Sequence, residues 1–306
     1  MDIALVIEHL LNGLQFGLML FLLAAGLTLV FGIMDLINLA HGSLYMAGAY
    51  FAATITAATG SFWFGTLGAM AATAVLGVLL EMSVIRRLYG RDHLSQVLAT
   101  FALILIFNEG ARMIWGAQPL SLNAPEALSQ PIELMPDLFY SSYRLFIIAA
   151  GIAVAALLYF VVARTRIGML VRAGASNREM ATAMGVNIKL VFTCLFAFGA
   201  ALCALAGSLL APLLAVQVGM GESILILAFV VIVIGGIGSV RGALVGALLV
   251  GIVDTLSRTL LPLVLRAAMP ADIASNLGPA LASMLIYVLM AAVLFYKPQG
   301  LFPARG

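Results

Sequence analysis

Long apolar runs separated by short polar stretches make up most of the chain. Nine occur, at about 9–33, 38–59, 63–85, 94–115, 144–163, 190–213, 222–236, 240–260 and 279–296. A helix needs about 20 mostly apolar residues to cross the hydrocarbon core of a bilayer. Two runs depart from that pattern. The second is broken by polar residues near its start, and the seventh is short, so either can be a re-entrant or partial helix. The pattern predicts an all-α, polytopic membrane helix bundle of about 8–9 transmembrane helices, with residues 1–306 forming one membrane domain.

Composition agrees. The chain is 64% hydrophobic and 9% charged, against about 45–50% and about 25% for an average soluble domain. Mean hydropathy is +1.16. A soluble enzyme, a nucleic-acid-binding protein and a disordered chain are excluded. The net charge of +2 is too small to argue for an anionic partner.

The positions of the basic residues say more. A secretory signal peptide opens on a basic stretch, whereas this chain opens Met1-Asp2-Ile3 and carries Glu8. The first run is therefore expected to be a retained span with its acidic start outside. Nine spans then put the C-terminus inside. Arg86, Arg87, Arg91, Arg164, Arg166, Arg172, Arg178, Lys189, Arg241, Lys297 and Arg305 fall inside. Arg112, Arg144, Arg258 and Arg266 fall outside or at outer helix ends. Cytoplasmic loops collect Lys and Arg, so this orientation is the expected one.

Two loops differ in kind. The outer loop 116–143 holds Pro119, Pro125, Pro131 and Pro136 among Glu126, Glu133 and Asp137, which excludes a long helix there. The inner loop 164–189 has five basic residues, no proline and good helix formers around Asn177–Met184. Ser176 or Asn177 can cap a short helix with Glu179 in its first turn, and Gly185 can end it in a left-handed conformation. Met180, Ala183 and Met184 then share one face. That face is either a solvated connector on the membrane surface or a docking surface, since Met fills irregular grooves.

Small residues recur every four positions. Gly199, Cys203, Gly207 and Ala211 line one face of the sixth run. Gly238, Gly242 and Gly246, flanked by Ala243, Ala247 and Gly251, do so around the eighth. Such faces let helix backbones approach closely in lipid, as plain packing or as a sliding seam. Cys194 and Cys203 are roughly 13 Å apart along one helix, too far for a disulfide, and read as small packing residues. An echo links Ala40-His41-Gly42-Ser43-Leu44 with Val240-Arg241-Gly242-Ala243-Leu244, which is either a repeat of the kind transporters carry or chance similarity.

A search for chemistry is mostly negative. Lys189 and Lys297 lie in no phosphate-binding loop. His9, His41 and His93 are scattered, so no metal site is expected, and no Ser/His/Asp set is legible. No cofactor is expected on the chain itself. Asp35, Asn38, His41 and Ser43 interrupt an otherwise apolar stretch. Polar groups there need partners, either in a hydrogen-bonded cap of the second helix or in a polar lining or gate hinge. Glu109 with Arg112, and Asp254 with Arg258, are spaced to pair on one helix face. Glu81 sits near Arg86 at the inner interface. Glu222 suits the start of the seventh helix, and its place at the outer face can also serve contact with another protein.

The run Ile37-Asn-Leu-Ala-His-Gly-Ser-Leu-Tyr-Met-Ala-Gly-Ala-Tyr50 resembles the signature of branched-chain amino-acid ABC transporter permeases. Arg172–Gly185, Gly235-Gly-Ile-Gly-Ser-Val-Arg-Gly242 and Lys297-Pro-Gln-Gly-Leu-Phe302 resemble the same family in order and spacing. The resemblance is to its shorter permease subunit and covers nearly the whole chain. Glu179-Met-Ala-Thr-Ala-Met-Gly185 also fits the E-x-A-x-x-x-G core of the helix by which ABC permeases engage their ATPases. The resemblance implies a second permease subunit, two cytoplasmic ATPase subunits that bind ATP, an extracytoplasmic substrate-binding protein, and a multi-pass position in an inner (plasma) membrane. It implies ATPase coupling through Arg178, Glu179, Met180, Ala183, Met184 and Gly185, and marks Asn38, His41, Gly42 and Ser43 as residues of the translocation path or its gate. A related branch carries urea and short amides. An ion-coupled secondary transporter would show acidic or His relays in mid-span, and an intramembrane enzyme would show a catalytic set.

Overall fold

The computed structural model describes residues 3–136, 138–176, 178–267 and 269–303. Met1, Asp2, Asp137, Asn177 and Arg305 lie outside the described residues, as do the side chains of Ser176 and Arg178.

All nine apolar runs become helices: α1 (Ile3–Met34), α2 (His41–Thr59), α3 (Phe62–Ser83), α4 (His93–Trp115), α5 (Ser142–Arg164), α8 (Ile188–Leu210), α9 (Met220–Gly235), α10 (Val240–Arg266) and α11 (Ala271–Tyr296). The 164–189 loop adds α6 (Arg166–Ser176) and α7 (Arg178–Ala183). Among the described residues, seven helices are long and apolar enough to cross a membrane. The other two apolar helices are α2 and α9, the pair that the sequence marks as broken and short. Helices α10 and α11 extend beyond their apolar runs and carry Pro262 and Pro279 inside them. Their two proline-bearing segments pack together, with the Gly278 backbone against the Pro262 ring.

Helix α1 runs through the middle. Its most apolar stretch is 83% buried, against 17–33% for α3, α4, α5, α10 and α11. It ends where Asp35 takes a left-handed conformation (φ 50°) and its N–H reaches the Phe31 carbonyl at 3.0 Å. Between lipid-facing helices, close packing supplies the association energy that hydrophobicity supplies in water, and the small residues are placed accordingly. A Cβ on Gly17 would stand 2.8 Å from the Ala247 carbonyl of α10, and one on Gly13 would stand 2.9 Å from the Ile252 Cα. The two helices therefore run antiparallel in near backbone contact.

Both small-residue stripes are packing faces. Gly199, Cys203 and Gly207 of α8 meet His41 and the Tyr45 carbonyl of α2, while Gly242 and Gly246 of α10 meet Gly235 and Val231 of α9. The sequence echo has a structural counterpart. Gly42 abuts Gly221 at the start of α9, and Gly242 abuts Gly235 at its end.

The polar residues sort to two ends. At one end Arg86 meets Thr193, Arg241 meets Tyr159, and the tail residues Leu301 and Phe302 donate to the Ile234 and Gly235 carbonyls. At the other end Trp115 meets Thr54, Arg144 meets Asn12, and Leu120 pairs with Val216. The proline-rich loop holds no long helix. It carries a short antiparallel hairpin, β1 (Pro131–Met135) with β2 (Leu138–Ser141), which hydrophobic periodicity did not reveal.

Candidate functional site

The turn from α1 into α2 is largely enclosed. Asn38 is 0%, His41 1% and Ser43 4% exposed; Gly42 is buried, and only Asp35 of the polar set is exposed. Part of the arrangement is local hydrogen bonding of the turn that leads into α2. Asn38 Oδ1 accepts from Ala40 N–H at 3.1 Å, and the Ser43 N–H donates to the Ala40 carbonyl at 3.0 Å. The imidazole of His41 sits where α1 and α8 cross at Gly26 and Gly199, with Nε2 3.0 Å from Cys203 Sγ. Asn38 Nδ2 and His41 Nδ1 are buried without a hydrogen bond of normal geometry. Buried polar groups are almost always paired, and the His41 ring has the Leu23 backbone of α1 within reach as a partner. The structure thus buries Asn38, His41, Gly42 and Ser43 together in the turn that leads into α2.

Helix α7 of the 164–189 loop has the expected end. Gly185 is left-handed (φ 86°). Its N–H donates to the Thr182 carbonyl at 2.9 Å and the Val186 N–H to the Ala181 carbonyl at 3.1 Å, the paired bonds of a Schellman stop. Ala181 is the inward residue at 6% exposure, whereas Met180 and Met184 are 62% and 79% exposed. Glu179, Ala183 and Gly185 are exposed as well. Ahead of it stands α6, which brings basic residues onto an amphipathic helix instead of a loose connector. The Arg172 guanidinium closes the end of α5 by donating to the Val162 carbonyl.

Between these two places lies a cluster that the sequence only hinted at. Glu81, the acid near the end of α3, is fully buried. Its Oε1 accepts from Arg86 Nε at 3.1 Å and Tyr89 Oη at 2.7 Å. Its Oε2 accepts from Arg86 Nη2 at 2.8 Å and lies 2.8 Å from Thr193 Oγ1 of α8. The hydrogen bond to Glu81 holds the Arg86 guanidinium above its ordinary range. Gln96 of α4 is a second such centre, 2% exposed. Its Nε2 donates to the Leu88 and Arg91 carbonyls, and its Oε1 accepts from the Ile37 N–H at 3.2 Å. Nothing but a polar residue in the first turn of an apolar helix signals Gln96 in the sequence. Asp92 caps α4, and hydrogen bonds from the Ser95 hydroxyl and N–H hold its carboxyl below the usual carboxylate range.

The other spaced charges pair as read. Arg112 lies 3.0 Å from Glu109 and Arg258 lies 2.8 Å from Asp254. Glu222 stands in the first turn of α9 and accepts from Asn108 Nδ2 at 2.5 Å. Among the described residues no group of three or more His, Cys, Asp or Glu is placed to hold a metal.

Known proteins resemble the chain along nearly its whole length. The chain is 29% identical over 307 residues to the high-affinity branched-chain amino acid transport system permease protein BraD of Pseudomonas aeruginosa, covering 96% of this chain and 95% of that protein. It is 29% identical over 279 residues to LivH of Escherichia coli K12 and 28% over 277 residues to LivH of Salmonella typhimurium, each covering 82% of this chain and 85% of the relative. The family described as branched-chain amino acid transport system / permease component matches residues 9–294. A multi-pass bundle with a continuous family match across its helices is a transport component, not an enzyme, and the chain belongs to the branched-chain amino acid transport system permease component family.

Proposed function

We propose that this chain is the shorter permease subunit of an ATP-driven importer of leucine, isoleucine and valine. It forms half of the translocation pathway with a second permease subunit. Two cytoplasmic ATPase subunits bind and hydrolyse ATP, and an extracytoplasmic substrate-binding protein delivers the amino acid. The N-terminus faces out and the C-terminus faces the cytoplasm, which puts the basic end of the bundle on the inner side.

The observation that carries the reading is the Schellman-stopped helix α7 with its exposed methionines. Nucleotide-driven closure of the ATPases pushes on Glu179, Met180, Ala183, Met184 and Gly185, with Arg178 at the helix start, and biases the bundle between inward- and outward-open states. Asn38, His41, Gly42 and Ser43 form the gate turn. A conduit binds weakly because it must release, and apolar walls with a few polar groups suit a branched aliphatic amino acid.

The test is uptake by the complete importer reconstituted in liposomes, with leucine, isoleucine, valine and urea as competitors. Uptake should require ATP and be competed by the three amino acids and not by urea. Competition by urea alone would transfer the chain to the urea and amide branch. Glu179→Arg and Gly185→Pro should leave the chain in the membrane yet let ATP hydrolysis proceed without uptake. Normal uptake by both would remove the docking assignment.

A further inference from the structure

We propose that Glu81, Thr193 and Gln96 are positioning residues of a polar relay through which movement of the inner loop reaches the Asn38–Ser43 turn. The inference rests on the docking reading of α7. The contacts are continuous. Helix α7 stops at Gly185, and Asn187 starts α8 by accepting from the Leu190 N–H at 3.2 Å. Two turns on, Thr193 Oγ1 lies 2.9 Å from the Lys189 carbonyl and 2.8 Å from Glu81 Oε2. Arg86 Nη2 donates both to that carboxylate and to the Thr193 hydroxyl. Glu81 thus clamps the start of α8 to the end of α3 and to the turn at 85–89, where the Tyr89 ring also lies edge-on against Phe192. From that turn the Leu88 and Arg91 carbonyls accept from Gln96, whose own oxygen holds the Ile37 N–H. Ile37 precedes Asn38.

A buried ion pair is weak evidence for stability, since well-packed apolar residues in place of the whole pair are often as stable. What a fully satisfied polar network adds is a defined geometry. Here that geometry joins three stretches distant in sequence, at 187–193, 81–96 and Ile37, and ends at the turn that carries Asn38. Packed bundles convert small shifts into discrete rearrangements. A tilt of α8 about Thr193 therefore moves the 85–91 segment with it, and Gln96 passes that displacement to the backbone entering α2. Contact alone does not demonstrate coupling, so the assignment is decided by its energetic consequence.

The test measures ATP hydrolysed and leucine imported in the same liposomes holding the complete importer. Gln96→Met keeps an unbranched side chain and deletes its hydrogen bonds. Thr193→Val keeps the shape and deletes the hydroxyl, and Thr193→Ser restores it. ATP consumed per leucine should rise at least about fivefold in Gln96→Met and Thr193→Val, the lower end of coupling between distant sites, and return toward normal in Thr193→Ser. Docking is read in parallel by cross-linking Met180→Cys to the ATPase in a Cys194→Ser background. A preserved cross-link with a raised ratio supports the relay. An unchanged ratio in Thr193→Val overturns it, even if Gln96→Met fails to reach the membrane. A raised ratio with a lost cross-link also overturns it, because the defect then lies at docking. Failure of the cross-link in the otherwise unaltered chain removes the docking reading itself.

Discussion

The sulfur of Cys203 lies 3.0 Å from Nε2 of His41, at the level where Gly26 of α1 and Gly199 of α8 face each other. The sequence offers these residues as unrelated features: a polar interruption before α2, and a stripe of small residues on α8. In the structure the stripe is the socket of the imidazole. That relationship converts a question about small residues into one about room, and room can be tested one methyl group at a time.

A graded alanine series should therefore separate positions that look alike in sequence. A Cβ on Gly199 would meet its nearest neighbours at 3.5 Å, an ordinary contact, whereas one on Gly26 would come 3.0 Å from His41 Nε2 and 3.1 Å from the Gly199 backbone. A Cβ on Gly42 would overlap the Gly221 carbonyl, and Gly110 has open space around it. Gly110→Ala should be neutral or stabilise by about 0.5–1 kcal/mol through helix propensity. Gly199→Ala should lie close to the parent, and Gly26→Ala and Gly42→Ala should each lose about 1–3 kcal/mol through overpacking. Thermal unfolding of the detergent-solubilised chain checks the order, with Gly42→Ala lowest.

The two cysteines should differ in reactivity as they differ in environment. Cys194 is exposed and Cys203 buried, and thiol modification follows access. A permeant maleimide should label the native protein at Cys194 only, and reach Cys203 on denaturation. Peptide mass spectrometry reads both sites. Rapid native labelling of Cys203 would show that the α1–α2–α8 contact opens in the resting state.

Much of this architecture was legible because its rules are local. Apolar run length located nine helices and flagged α2 and α9, and four-residue spacing of glycines found the faces that later proved to be packing faces. Gly185 announced its own left-handed stop. The omissions have a shared physical cause. Glu81 and Thr193 are 112 positions apart, and Gln96 and Ile37 are 59 apart, so no periodicity links them. Helix α6 was masked by its charge, since a short basic amphipathic helix reads like a solvated loop. The hairpin at 131–141 was masked by prolines that sit at its margins. The reach of α10 and α11 past Pro262 and Pro279 depends on tertiary packing, which overrides the local stop signal.

The methionines of α7 should matter as apolar surface and not as particular residues. Met180 and Met184 are exposed, so replacing them does little to the fold of this chain. On the docking reading, Leu at both positions keeps most of the contact, whereas Asp at either places an unpaired charge in an interface. Met184→Asp should lower ATP-dependent uptake by roughly tenfold or more, equivalent to about 1.4 kcal/mol of lost docking, with unchanged amounts of chain in the membrane. Uptake equal to the parent in Met184→Asp would assign those methionines to the lipid surface instead.

The tail supplies a prediction at the same end of the bundle. Helix α9 stops at Gly235, and its last carbonyls would lack partners but for the N–H groups of Leu301 and Phe302, which reach Ile234 and Gly235 at 2.8 and 2.9 Å. Gly236 (φ 104°) and Gly300 (φ 82°) allow the two backbones to touch, and a Cβ on Gly300 would stand 2.5 Å from Gly236. Two segments matching the same family in the sequence are thus one structural unit. Removing residues 298–306 deletes two hydrogen bonds worth about 0.5–1.5 kcal/mol each and uncovers the 235–239 turn, where Gly32 of α1 packs against Gly238. Amide hydrogen exchange at the α9–α10 turn should accelerate roughly tenfold, as loss of about 1.4 kcal/mol requires, while exchange at the α1–α2 turn should not change. Equal protection in the truncated chain would show that the tail rests on the turn without holding it.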